Sequence, residues 1–327
     1  MSDVYRMQVS ELGGPAALEA RPFEPGEPGP HEVRLRTEAI GCNFFDLLIT
    51  RGKYQLKPEL PFAPGGEAAG VVEAVGAEVE HVAVGDRALA LVPFGAYATH
   101  LVAPAERVFR LPAETPFEVA AAMGVVYQTS YVGLVTRGRL RAGETVLVHA
   151  AAGGVGLAAV QIAKALGATV IGTAGSEPKL QLVRDEGADH AFSYRDDSWM
   201  PKVRELTGGR GVDVVYDPVG GDAFDLSTKI LAWEARLLVV GFASGRIPEM
   251  AANRIMLKNV DIVGVHWGPY FEHRPQVCRD AQDALNELWR AGAVRPLVSE
   301  THPLRDAPAA LARLQARQTI GKLVLTP

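Results

Sequence analysis

The sequence predicts an α/β protein in which a β-rich domain accompanies a doubly wound, parallel-sheet domain. Three observations predict it. Short apolar runs broken by turn residues fill the first third, with little helical pattern before Phe117. From Glu144 onward strands and helices alternate, the signature of a parallel sheet covered on both faces. After the last of those strands the alternation stops, so the chain end is read as returning to the first domain. A length of 327 residues fits two domains at roughly 100–200 residues each.

The strands of the first domain show the period of two in runs such as Glu32-Val33-Arg34-Leu35-Arg36. Val71 to Gly76 and Ala88 to Val92 read as further strands. The clusters from Glu24 to Pro30, at Gly65-Gly66 and at Val84-Gly85-Asp86 punctuate them. Pro116 to Arg137 is helical in pattern. Thr145 to Ala150 is a buried strand, followed by a helix whose apolar stripe is Val155, Ala159, Ile162 and Leu166. Thr169 to Thr173 is the next strand. Pro178 to Glu186 is a helix with proline in its first turn and Gly187 closing it. Val212 to Asp217, Arg236 to Val240 and Asp261 to Val265 complete the strand series. A long helix over Pro275 to Ala291, a short one near Ala307 to Arg317 and a strand at Leu323-Val324-Leu325 end the chain.

Composition narrows the function. The formal net charge is −5 and no long basic run is present, which argues against nucleic acid, since phosphate binding needs clustered Lys and Arg. Two cysteines, Cys42 and Cys278, exclude a disulfide scaffold and a four-cysteine zinc site. They read as reduced thiols of a cytoplasmic protein. The N-terminus has neither the basic start nor the apolar core of a secretory signal. The apolar stretch Val146 to Ala163 is broken by His149, three glycines and Gln161, and is read as strand, turn and helix rather than as a membrane span.

The chemistry is announced by Ala151-Ala152-Gly153-Gly154-Val155-Gly156, between a strand and a helix. Set on the pattern G-x-G-x-x-G, its positions are Ala151, Gly153 and Gly156. The second glycine admits a pyrophosphate and the third allows helix and strand to pack closely. The helix that follows offers free N–H groups and the positive end of its dipole. Ala152, Gly153, Gly154, Val155 and Gly156 are therefore read as the dinucleotide turn of a Rossmann domain. An acid at the tip of the second strand would select NAD. The tip here is Ala174-Gly175-Ser176, with Glu177 next and Lys179 close behind. A hydroxyl and a cation suit a 2′-phosphate, so the cofactor is read as NADPH.

Several stretches together resemble the medium-chain dehydrogenase/reductase superfamily, and within it the zinc-free NADPH:quinone oxidoreductases of the zeta-crystallin-like branch. They are Ala39 to Asp46, Pro64 to Val72, Ala150 to Gly156, Gly211 to Gly220 and Gly321 to Leu325. The resemblance implies a GroES-like β-rich catalytic domain from residues 1–122 and 267–327, with a Rossmann domain over 123–266. It implies a homodimer or homotetramer associating through the Rossmann domain. It implies 2′-phosphate contacts at Ser176, Lys179 and Tyr194, positions flanking the nicotinamide at Thr129 and Phe242, and a position near the cofactor at Lys322.

The zinc alcohol dehydrogenases of the superfamily carry a cysteine where this chain has Asn43, and Gly-His-Glu where it has Gly65-Gly66-Glu67. No metal is expected here. Without zinc to polarise an alcohol, the expected reaction is reduction of a quinone or a related activated carbonyl or alkene. Asn43, Tyr54 and Trp267 are expected to line the substrate cleft. Asn43 would hydrogen-bond the acceptor or the cofactor ribose, and Tyr54 would donate to a developing oxyanion. Relatives often have a second tyrosine in this loop, where this chain has Leu48. Three alternatives stand beside quinone reduction: an enoyl-thioester or 2-alkenal reductase, a non-enzymatic NADPH-binding protein, and a zinc dehydrogenase.

Overall fold

The apolar runs and turn glycines of the first third become seven strands: β1 (Tyr5–Val9), β2 (Leu18–Pro22), β3 (Glu32–Gly41), β4 (Glu67–Val75), β5 (Arg87–Leu91), β6 (His100–Pro104) and β7 (Val108–Arg110). A short helix, α1 (Phe44–Ile49), interrupts them. These elements belong to a computed structural model, which describes residues 4–195 and 198–327. Helix α2 (Phe117–Tyr131) follows and continues as a π-helical run, Val132–Arg137. The alternating region comprises β8 (Thr145–Val148), α3 (Gly154–Ala165), β9 (Thr169–Ala174), α4 (Glu177–Asp185), β10 (His190–Ser193), α5 (Trp199–Leu206), β11 (Val212–Asp217), α6 (Gly221–Ser227), β12 (Leu231–Val239), α7 (Ala252–Lys258) and β13 (Asp261–Gly264). Helices α8 (Tyr270–His273) and α9 (Pro275–Arg290) precede β14 (Val298–Pro303), α10 (Ala307–Gln315) and β15 (Lys322–Thr326).

Two units result. One comprises residues 1–125, 271–282 and 296–327; the other comprises 126–270 and 283–295. In the first, β14-β15-β3-β4-β5-β7 form a sheet to which β6 adds by pairing with β3. The last strand of the chain sits antiparallel on β3, so Val324 faces Gly41. Leu35, Ile40, Leu47, Tyr97 and Leu325 are buried in its core.

In the second unit six strands run parallel in the order β10-β9-β8-β11-β12-β13. The order reverses between β8 and β11, and in such a doubly wound sheet ligands bind beyond the carboxyl ends of the strands at that switch. Leu147, Ile171, Trp199, Val215 and Leu237 form its core.

Helix α3 departs from the expected single stripe. Every residue from Gly156 to Ala163 is buried, because small side chains let the helix pack on most of its circumference. Its one polar residue there, Gln161, accepts from Tyr127 Oη at 2.7 Å and from the Arg295 N–H at 2.8 Å, and donates to Glu186 at 2.6 Å. The span Val146 to Ala163 is strand, turn and helix. The 21-residue stretch Phe117–Arg137 is long and apolar enough to cross a membrane, yet 67% of its apolar window is buried inside the protein, as in a core helix.

Candidate active site

The dinucleotide turn grows from the end of β8. Ala150 takes a left-handed φ of 49° and turns the chain, the Ala151 N–H donates to Thr173 O at 2.9 Å, and Gly153 becomes the N-cap of α3. Each position of the motif has a local reason. A Cβ on Gly156 would stand 2.3 Å from Ala150 O, so that position must be glycine. A Cβ on Gly153 would meet only Ala150 O at 3.4 Å, so the space above it is open. Ala151, which replaces the first glycine, is fully buried, and its methyl lies against Gly172 of the neighbouring strand. That missing side chain on β9 makes room for alanine in the motif. The first N–H groups of α3 have no partner within the helix, and they face the region where an anion is stabilised by the dipole.

Beneath the turn, His149 is buried and ties three elements together. Nδ1 lies 2.9 Å from Thr173 Oγ1 and Nε2 lies 2.7 Å from Ser227 Oγ. Ser227 already donates to Ala223 O at 2.7 Å, so it accepts from His149. The proton therefore sits on Nε2, Thr173 donates to Nδ1, and the ring is neutral; burial also holds its pKa below the usual value.

At the end of β9, Ser176 is the N-cap of α4 in extended conformation, and its hydroxyl makes no capping bond. Tyr194, half exposed, lays its hydroxyl over Gly175, where a Cβ would come within 2.5 Å of it. Lys179 lies partly buried in the first turn of the helix. Glu177 is turned to Arg184, whose Nη1 is 3.0 Å from its carboxylate.

The β11 and β12 ends carry Phe242. Asp217 accepts the N–H groups of Val219 and Gly220 at 2.8 and 2.9 Å, and the Ala243 N–H reaches Pro218 O at 3.1 Å. This pins the two loops, and Phe242 lies against Gly220, whose φ of 66° suits glycine. Thr129 sits half-buried on α2. Its neighbour Ser130 bonds Val155 O at 3.0 Å and Tyr216 Oη at 2.9 Å, which fixes that turn of α2 to the start of α3. Trp267 Nε1 donates to Gln128 Oε1 at 3.0 Å.

The other unit gathers Asn43, Glu67 and Lys322, from the end of β3, the start of β4 and the start of β15. Glu67 Oε1 receives Asn43 Nδ2 and Lys322 Nζ, each at 2.7 Å, and Glu67 Oε2 receives the Val125 N–H at 2.6 Å. Lys322, expected beside the cofactor, is here a buried cation bonded within its own unit. Asp46, in the first turn of α1, accepts the Asn43 N–H at 2.8 Å and Tyr97 Oη at 3.0 Å on one oxygen, while its other oxygen is buried with no hydrogen-bond partner. Burial pushes its pKa up to about 7. Tyr54 packs on Phe45 with ring centroids 5.5 Å apart, and Phe45 fills the space a side chain on Gly66 would need. Burial, then the Asp46 charge, raise the Tyr54 pKa, so the phenol stays protonated at neutral pH. Leu48 is half-buried on α1. Among the described residues no group of three His, Cys, Asp or Glu is placed to hold a metal ion.

Glu67, Asp46, Tyr97 and His149 were not singled out from sequence as site residues. Glu67 lay within a motif already noted, and His149 registered only as a polar break in an apolar run.

The chain matches two family models: the alcohol dehydrogenase GroES-like domain over residues 29–113 and the zinc-binding dehydrogenase domain over 154–285. It is 40% identical to a quinone oxidoreductase of Pseudomonas aeruginosa, over 98% of this chain and 99% of that one. The crystal structure of Escherichia coli quinone oxidoreductase complexed with NADPH is similar with a TM-score of 0.93 and 35% identity, covering 99% of this chain and 100% of the other. The crystal structure of 2-haloacrylate reductase is similar with a TM-score of 0.87 and 35% identity, covering 99% of each chain. The two GroES-like and parallel-sheet units, the dinucleotide turn at a switch point and these likenesses lead to one assignment: the chain is an oxidoreductase of the medium-chain dehydrogenase/reductase superfamily and belongs to its quinone oxidoreductase family.

Proposed function

We propose that this protein uses NADPH to reduce quinones, or related activated carbonyl and alkene acceptors, without zinc. The observation that carries the cofactor choice is the start of α4. Ser176 keeps its hydroxyl free of capping duty, Tyr194 lays a second hydroxyl over the adjacent Gly175, and the nearby acid Glu177 is engaged by Arg184. Together with Lys179 this set fits a 2′-phosphate. Ala152, Gly153, Gly154, Val155 and Gly156 fit the diphosphate, since Gly153 leaves room and the α3 N-terminus is positive. Thr129 and Phe242 are held on braced turns and would flank the nicotinamide ring.

When bound, NADPH supplies the hydride. The remaining work belongs to the chain. Asn43 would accept a hydrogen bond from a ribose hydroxyl. Tyr54, a phenol kept protonated, would donate to the oxygen on which charge develops. Trp267, tethered to Gln128, would border the substrate. Zinc independence is supported by the donor set: at position 43 an amide bonded at both ends, and at position 66 a glycine under the ring of Phe45.

A second reading, reduction of an alkene conjugated to a carbonyl or thioester, is favoured by Leu48, which makes the Tyr54 loop more apolar, and by the likeness to 2-haloacrylate reductase. NADPH oxidation measured against a quinone, a 2-alkenal and an enoyl thioester separates the two. Quinone turnover at the highest kcat/KM supports the first reading, saturation of the enal or thioester at higher kcat/KM replaces it, and tight NADPH binding without any turnover points to a non-enzymatic protein.

The enzyme is further taken as cytoplasmic, its two cysteines being buried free thiols. We place its homodimer or homotetramer contact on the parallel-sheet unit. There β13 ends the sheet and α7, beside β12, exposes Met256 and Leu257. Sedimentation velocity reads the oligomer size.

A further inference from the structure

Three of the motifs that carry the family likeness, Gly41-Cys42-Asn43, Gly65-Gly66-Glu67 and Gly321-Lys322, converge on one cluster. Lys322 Nζ makes three bonds of 2.7 Å each, to Cys42 O, Asn43 Oδ1 and Glu67 Oε1. An ammonium has three hydrogens and only donates, so its capacity is filled, and the Asn43 atom facing it must be the oxygen. The amide nitrogen of Asn43 then faces Glu67 Oε1 at 2.7 Å and Gly41 O at 3.3 Å, which uses both of its hydrogens. No hydrogen of the Asn43 amide is left to donate, and its remaining capacity lies on Oδ1, which also faces the Asp46 N–H in the capping box that starts α1.

The cluster is buried: Asn43, Glu67 and Lys322 are 5%, 0% and 4% exposed. The surrounding backbone is fitted to it. A Cβ on Gly41 would lie 2.2 Å from Glu67 Oε1, and one on Gly124 would lie 2.6 Å from Oε2. Burying an ion pair is poor value as stabilisation, because desolvation offsets the attraction, and its best-attested use is to fix a unique arrangement. Here the arrangement fixed is the orientation of one amide.

We propose that Lys322 and Glu67 are positioning residues that lock the Asn43 side chain, so that Asn43 meets the cofactor as a hydrogen-bond acceptor only. This rests on the reading that Asn43 faces NADPH. It deepens that reading in two ways. Lys322 acts on the cofactor through Asn43 and not by direct contact. The proton delivered to the reduced acceptor comes from a group other than Asn43, whose two amide hydrogens are taken.

The test is a double-mutant cycle on the full-length protein, read by NADPH fluorescence titration and by the urea unfolding midpoint. Asn43→Ala should weaken NADPH binding by about fivefold, the loss of one neutral hydrogen bond. Lys322→Met should weaken it by a similar factor, and the double variant no further. Equal weakening by Lys322→Met in the parent and Asn43→Ala backgrounds would mean direct contact and overturn the proposal, as would an unchanged Kd.

A second pair keeps the net charge and guards against simple unfolding. Asn43→Asp sets a second carboxylate oxygen 2.7 Å from Glu67 and should lower both the midpoint and the affinity. Adding Glu67→Gln restores a carboxylate–amide pair and should recover part of both. Absence of recovery in the double variant would sink the lock. If the parent binds no NADPH, the functional reading fails, while the coupling between residues 43, 67 and 322 in the urea midpoints still reports on the lock.

Discussion

The hydroxyl of Tyr194 lies over Gly175 so closely that a Cβ there would stand 2.5 Å from it. Contact of this kind places a phenol over the residue next to Ser176, whose hydroxyl makes no capping bond, at the tip of β9. Gly175→Ala should swing the exposed ring aside without disturbing the backbone. The expected result is an unchanged unfolding midpoint with the NADPH KM raised about tenfold or more, the worth of one hydrogen bond to an ionised phosphate, and the NADH KM unaffected. Steady-state kinetics with both cofactors checks it.

The charges around the same tip make a second prediction. Lys179→Ala should lower the NADPH-to-NADH preference about tenfold or more, since a charge-assisted bond contributes roughly 1.5–3 kcal/mol. Arg184→Ala releases Glu177 toward the 2′-phosphate. Because that pair is exposed, the preference should fall only about two- to fivefold. The ratio of kcat/KM values for the two cofactors measures both.

Two glycines of the turn should respond differently. Gly153→Ala meets only Ala150 O at 3.4 Å, so the protein should fold normally and lose NADPH affinity, because the new methyl stands where the pyrophosphate approaches. Gly156→Ala drives a Cβ to 2.3 Å from the Ala150 carbonyl and should destabilise the fold by about 1–3 kcal/mol as well. Urea denaturation alongside calorimetric NADPH titration distinguishes the two.

Asp46 gives the pH dependence. Its folded pKa is pushed up to about 7 from 3.8, so between those values the folded protein holds a proton that the unfolded chain releases. Folding stability contributed by this group is therefore full below about pH 4 and declines as pH rises through 7. Asp46→Asn removes that decline. The variant should gain on the parent between pH 5 and pH 8, by up to about 3 kcal/mol if the whole shift is expressed. Equal midpoints differences at the two pH values would contradict it.

How much of this was readable in the chain follows from the range of each signal. The glycine turn, the Ser176 tip and the alternation of strand and helix are local patterns, and the sequence showed them directly. The tolerance of Ala151 was not readable, because its reason is Gly172 on another strand. The buried surface of α3 was wider than its Val155-Ala159-Ile162-Leu166 stripe, since alanine and glycine pack on any face without marking it. Lys322 matched a family position near the cofactor, and Glu67 stood in a turn motif. Their ion pair joins residues 255 positions apart, and no periodicity reports such a contact. The tautomer of His149 likewise depends on Ser227 and Ala223, far along the chain.

We propose metal-independent quinone reduction with a preference for NADPH. Its most direct test is kcat/KM for a simple benzoquinone, with NADPH and with NADH, before and after dialysis of the enzyme against a strong chelator. The enzyme should prefer NADPH at least tenfold and keep the same rate after chelation. Equal use of the two cofactors, or activity lost on chelation and restored by zinc, would contradict it.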